Sequence, residues 1–180
     1  MTAKRKEELR DMYQNVGPFH EGLEQVRHGS EWFHVHHDGS PAYTLRFDWV
    51  GHFRDGFAEV RIGKRMFHIN HEGKASYTHW LDMVGPFFEG LAQASQDGKW
   101  FHAGINGMPA YRMRFTQVGP FSEGLAQACD EVGWHHIRHD GNPAYHERYS
   151  MVTAFKNGTA EVTDKHNNRF RIRDDGTRVD

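Results

Sequence analysis

Short apolar runs of alternating character, separated by Gly-containing polar pairs, fill the chain from residue 15 onward. Gly90–Ala94 leads to a turn at Gln96-Asp97-Gly98, Lys99–Ala103 leads to a turn at Asn106-Gly107, and Pro109–Phe115 forms a third run. Asp-Gly and Asn-Gly between apolar runs are strong hairpin signals. The spacing therefore predicts a three-stranded meander, with Val118-Gly119-Pro120 as the corner into the next one, because proline cannot donate to a ladder. Alternation places Trp32 and His34 on one strand face and Phe33 and Val35 on the other, as it does Met66 with His68 and Trp100 with His102. No internal segment holds a 3.6-residue period, so only Ala3–Gln14 is predicted as helix.

The same pattern recurs at intervals of 34 residues: Val16-Gly17-Pro18-Phe19, Val50-Gly51-His52-Phe53, Val84-Gly85-Pro86-Phe87, Val118-Gly119-Pro120-Phe121 and Val152-Thr153-Ala154-Phe155. In that frame stand Gly22, Gly56, Gly90, Gly124 and Gly158, then Trp32, Met66, Trp100 and Trp134, then His34, His68, His102 and His136. One extra residue within 163–168 brings the last unit back into register, an insertion a surface turn tolerates. The expected organisation is a charged N-terminal cap over residues 1–8 and a single repeat domain over 9–180, with units 9–42, 43–76, 77–110, 111–144 and 145–180.

A three-stranded sheet cannot bury both faces alone, so stacking of neighbouring units must complete the core. The expected fold is all-β: five tandem 34-residue β-meander repeats in an open β-solenoid, with a closed five-fold, propeller-like ring as the alternative.

Pro-Phe-x-Glu-Gly-Leu-Ala (86–92 and 120–126), Gly-Lys-Trp (98–100) and Asp-Gly-x-Pro (38–41 and 140–143) together resemble the WG-repeat family of bacterial proteins, over Leu9–Val179. Phe follows Trp32 and Trp100 and His follows Trp134 where the family has Gly, which marks a divergent subtype. The resemblance implies a bacterial β-rich array, in a family whose members differ in repeat number, and implies no catalytic residues.

Composition narrows function by exclusion. Formal charge is −2, with basic and acidic residues interspersed, which leaves no electrostatic footprint for nucleic acid or an anionic membrane. No apolar run is long enough to span a bilayer and no signal peptide is seen, so a cytoplasmic location is expected. Cys129 is the only cysteine, which excludes an intramolecular disulfide. Histidine stands out at 15 residues, and full protonation would move the formal charge to +13.

Two uses of the column His34, His68, His102 and His136 are open. It could bind a metal, an anion or a carboxylate-bearing ligand, or each imidazole could bond a backbone carbonyl of the neighbouring unit and set the stacking register. Trp32, Trp100 and Trp134 pose the same choice between an aromatic strip for sugars or peptides and packing between units. Glu21, Asp55, Glu89 and Glu123 recur once per unit and are expected to serve turns, because an active site needs an asymmetric set. Cys129 is expected as a small buried hydrophobe. No phosphate loop, nucleophile elbow or His-Glu-x-x-His spacing is present. The sequence thus predicts a non-catalytic module, without a cofactor, that binds a protein partner. The alternative is a carbohydrate- or metal-binding protein using the Trp and His columns.

Overall fold

The computed structural model describes residues 3–179, with side chains from Glu7 onward; the first two residues of the expected cap lie outside the described residues. After helix α1 (Ala3–Met12) the chain forms five antiparallel sheets. The first holds β1 (Asn15–His20), β2 (Leu23–His28) and β3 (Glu31–Val35), and the second β4 (Trp49–Val50), β5 (Phe57–Ile62) and β6 (Arg65–Asn70). Next come β7 (Met83–Phe88), β8 (Leu91–Gln96) and β9 (Lys99–Ala103), then β10 (Gln117–Ser122), β11 (Leu125–Cys129) and β12 (Trp134–Ile137). The last sheet has four strands: β13 (Met151–Val152), β14 (Ala160–Thr163), β15 (Arg169–Ile172) and β16 (Arg178–Val179). The chain divides into two compact units, residues 1–86 and 87–180.

The first hairpin of each sheet turns on a two-residue loop in which both residues have positive φ. Glu89 and Gly90 stand at 52° and 78°, Glu123 and Gly124 at 55° and 80°. This is the type I′ geometry whose twist matches the flanking strands. Glycine takes the second position in every such turn.

The structure corrects the third strand of the meander. Pro109–Phe115 is not a strand; its ladder pairing with β9 is reduced to the isolated bridges Ala103↔Pro109 and Trp100↔Phe115. The outer strand is instead β10, which contains the Val118-Gly119-Pro120 expected as a corner. Proline is tolerated there for two reasons. The strand lies at the sheet edge, and its pairing with β11 shifts register between Val118 and Phe121. β1 does the same between Val16 and Phe19.

The loop after each meander fills the core. Tyr43, Phe47, Val50 and Phe53 are buried in the first unit, and Tyr111, Phe115, Val118 and Phe121 occupy the same frame in the second. The turn glycines Gly73, Gly141 and Gly176 lie against the tyrosine of the repeat before them. A Cβ on Gly73 would stand 2.7 Å from Tyr43 Cγ, and one on Gly141 2.6 Å from Tyr111 Cγ. Leu9 of α1 plays the tyrosine's part against Gly39 and is 1% exposed, so the helix closes the face that no preceding repeat covers. The extra residue of the last repeat lies in the turn between β14 and β15, where the Asp164 carboxylate accepts from the backbone N–H of His166 and Asn168.

Candidate functional site

His34, His68, His102 and His136 sit in β3, β6, β9 and β12 with at most 2% of each side chain exposed. Each Nε2 lies 2.8–2.9 Å from the carbonyl oxygen of the residue 17 positions on: Gly51, Gly85, Gly119 and Thr153. A carbonyl can only accept, so Nε2 carries the proton and Nδ1 is the acceptor. Nδ1 receives the hydroxyl of Tyr43, Tyr77, Tyr111 or Tyr145, at 2.9 Å for His68 and 2.6 Å for His102. The Gly119 carbonyl belongs to the bulged stretch of β10, where the pairing with β11 shifts register. The ring faces are occupied too, with Phe53, Phe121 and Phe155 centred 4.5–4.6 Å from His34, His102 and His136.

Burial pushes all four imidazoles down to about 4, against the smaller raising effect of the carbonyl bond. The same burial pushes the partner tyrosines up. The column is therefore neutral at pH 7 and carries no nitrogen open to a ligand. The three tryptophans are placed differently: Trp32, Trp100 and Trp134 are half-buried at the starts of β3, β9 and β12, and keep part of the indole in solvent.

The glutamates brace turns. The Glu21 carboxylate accepts from Gly56 N–H at 3.0 Å, and that of Glu123 from the N–H groups of Asn157 and Gly158 at 2.7 and 2.8 Å. Glu21 also meets His71 Nε2 at 3.0 Å, and Glu89 meets His139 Nε2 at 3.1 Å, while the His139 ring stacks on Phe121 at 4.2 Å. The Cys129 thiol, half-buried, points to the Asp130 carbonyl at 3.6 Å. Among the described residues no group of three or more His, Cys, Asp or Glu is arranged to hold a metal ion.

Sequence reasoning missed an arginine column that was visible in the same 34-residue frame: Arg46, Trp80, Arg114 and Arg148. Arg114 Nη1 donates to the carbonyls of Tyr111, Arg112 and Met113 at 2.9–3.1 Å, while its guanidinium lies 4.4 Å from the centre of the Phe101 ring. Arg46 repeats this over Phe33 at 3.7 Å. In the next repeat Trp80 takes the place, 42% exposed, with Arg65 5.2 Å from its ring centre. His135 occupies the position of Phe33, Phe67 and Phe101 and is 1% exposed. Burial pushes it down to about 4, and its Nδ1 stands 3.7 Å from the Asp130 carboxylate, which Arg148 also holds at 2.8 Å. Burial works to raise Asp130, but the bonds from Arg148, Val132 and Gly133 outweigh it and leave the carboxyl below its usual value.

The family model for the WG containing repeat matches the chain twice, at residues 35–65 and 69–100, in agreement with the resemblance carried by the sequence motifs. No curated protein sequence matches the chain. Among solved structures, BamB from Moraxella catarrhalis is 9% identical with a TM-score of 0.53, over 92% of this chain and 59% of its own. A Kluyveromyces lactis Hsv2 with loop 6CD replaced by a Gly-Ser linker is 9% identical with a TM-score of 0.54, over 88% of this chain and 63% of its own. This chain thus spans less than two thirds of either structure, and at such identities the likeness is one of fold: an all-β array of small antiparallel sheets.

Proposed function

We propose that the chain is a non-catalytic repeat module whose exposed surface binds a protein partner. The carrying observation is where the polar chemistry goes. The histidines, their tyrosines and the turn glutamates are used in joining one repeat to the next. The exposed loops differ from repeat to repeat, as a recognition surface requires. The turn Gly104–Pro109 carries Ile105 and Met108, 54% and 56% exposed, where the corresponding turn at 138–143 has His139 and Asn142.

In this reading the first and last repeats carry caps. Leu9 covers one end, and at the other the His position falls on Arg171, exposed and paired across the sheet with Glu161. A charged pair there suits a terminal cap. The carbohydrate alternative rests on Trp32, Trp100 and Trp134 alone, since the four histidines have no nitrogen to offer.

A photo-crosslinking residue at Ile105, with a second at Trp100, separates the two readings. Crosslinking of one protein species from position 105, lost when Met108→Asp is added beside it, is the expected result. Specific binding on a glycan array that is abolished by Trp100→Ala would replace the protein-partner reading with the carbohydrate one.

A further inference from the structure

The first two repeats break the pattern at one place on the surface. His52 stands where Pro18, Pro86 and Pro120 stand in other repeats, and His20 falls where Ser122 and Lys156 do. The two imidazoles meet with ring centres 4.3 Å apart and planes inclined by 38°. His20 is exposed, and neither of its nitrogens hydrogen-bonds among the described residues. His52 is half-buried, and burial, reinforced by the neighbouring His20, lowers its pKa.

A third side chain is drawn in. Gln93 and Gln127 donate their carboxamide to the carbonyls of Val118 and Val152, at 2.6 and 2.8 Å. Gln25, in the same frame, turns instead to His52, with its amide nitrogen 3.5 Å from Nε2. Gly17 leaves room for this, because a Cβ there would stand 3.1 Å from Gln25 Cγ and 3.4 Å from His52 Cε1. Rotation of the carboxamide by half a turn presents its oxygen to the same space.

We propose that His20, His52 and the Gln25 carboxamide oxygen form a surface site for a divalent transition-metal ion. Two imidazoles suit Zn²⁺, Ni²⁺ or Cu²⁺, with water completing the coordination shell. The site is specific to this pair of repeats, since no other repeat places two histidines at these positions. It is also separate from the buried column, whose nitrogens are all engaged.

The test is isothermal titration with ZnCl₂ and with NiCl₂ at pH 7.5, together with thermal melting, on chain lacking any added histidine tag. One saturable equivalent of metal per chain is expected, with a rise in melting temperature. His52→Pro should abolish both while leaving the metal-free melting temperature unchanged, because proline occupies this bulge in the neighbouring repeats. His20→Ala, at an exposed position, should abolish binding even if the proline variant folds poorly. Absence of saturable binding to the wild-type chain overturns the proposal. So does binding that persists in His20→Ala but is lost in His71→Ala, which would place the metal on the Glu21–His71 pair.

Discussion

His102 Nε2 donates to the carbonyl of Gly119 at 2.8 Å, and so ties β9 to the bulged strand of the repeat that follows. The same ring accepts the Tyr111 hydroxyl at 2.6 Å, so one imidazole fixes both the loop that leaves its sheet and the strand that loop leads to. His102→Phe keeps the ring but strands two buried polar groups. At about 1–3 kcal/mol for each group left without a partner, the expected loss is about 2–6 kcal/mol. Tyr111→Phe removes one donor and should cost about 1 kcal/mol. Urea denaturation checks both, and a loss below 1 kcal/mol for His102→Phe would show that the column is not what couples the repeats.

Acid should dissolve the same coupling. The folded-state pKa of about 4 for His34, His68, His102 and His136 lies below the unfolded value of 6.5, so the unfolded chain binds more protons between those limits. Their contribution is fully present above about pH 6.5 and is lost as pH falls toward 4. At pH 5 each histidine costs about 2 kcal/mol, enough across four to rival the whole stability of a domain. The urea midpoint should fall steeply between pH 6.5 and pH 5. A flat profile there would mean that these rings are hydrated or already charged in the folded state.

Turn glycines fall into two groups that a single substitution can tell apart. Gly124 has φ of 80° but open space around an added Cβ, whereas Gly141 has φ of 79° and would press a Cβ to 2.6 Å from Tyr111 Cγ. Gly124→Ala should cost about 1 kcal/mol, from backbone strain alone. Gly141→Ala adds displacement of a packed ring, at about 1–3 kcal/mol more. Thermal melts of the two variants check the ordering, and equal losses would refute the close packing of tyrosine on glycine.

Periodicity made the architecture legible, because a 34-residue frame needs no knowledge of any single side chain's contacts. It also gave Leu9 as the first member of the tyrosine column, which the helix then supplies. The outer strand escaped because proline was weighed as a ladder-breaker, and only the edge position and the bulge make Pro120 harmless. Whether His102 faced a ligand or a carbonyl was equally hidden: strand alternation assigns a face, but not what covers it. Trp100 and His102 share a strand face in the alternation, yet one keeps solvent exposure and the other has none.

Arg114 offers a test of the column that sequence reasoning overlooked. Its Nη1 bonds three successive carbonyls while the guanidinium stands 4.4 Å from the centre of the Phe101 ring, so hydrogen bonding and delocalised charge are both in use. Lysine has a compact ammonium and cannot reproduce that geometry. Arg114→Lys should therefore cost about 1–2 kcal/mol although the charge is kept, from lost carbonyl bonds and a weaker contact with the ring. Arg112→Lys, two residues away and exposed, should be neutral within about 0.5 kcal/mol. If the two variants melt alike, the arginine column contributes charge and nothing more. If Arg114→Lys alone falls, the loop between repeats is set in part by a side chain that caps its own backbone.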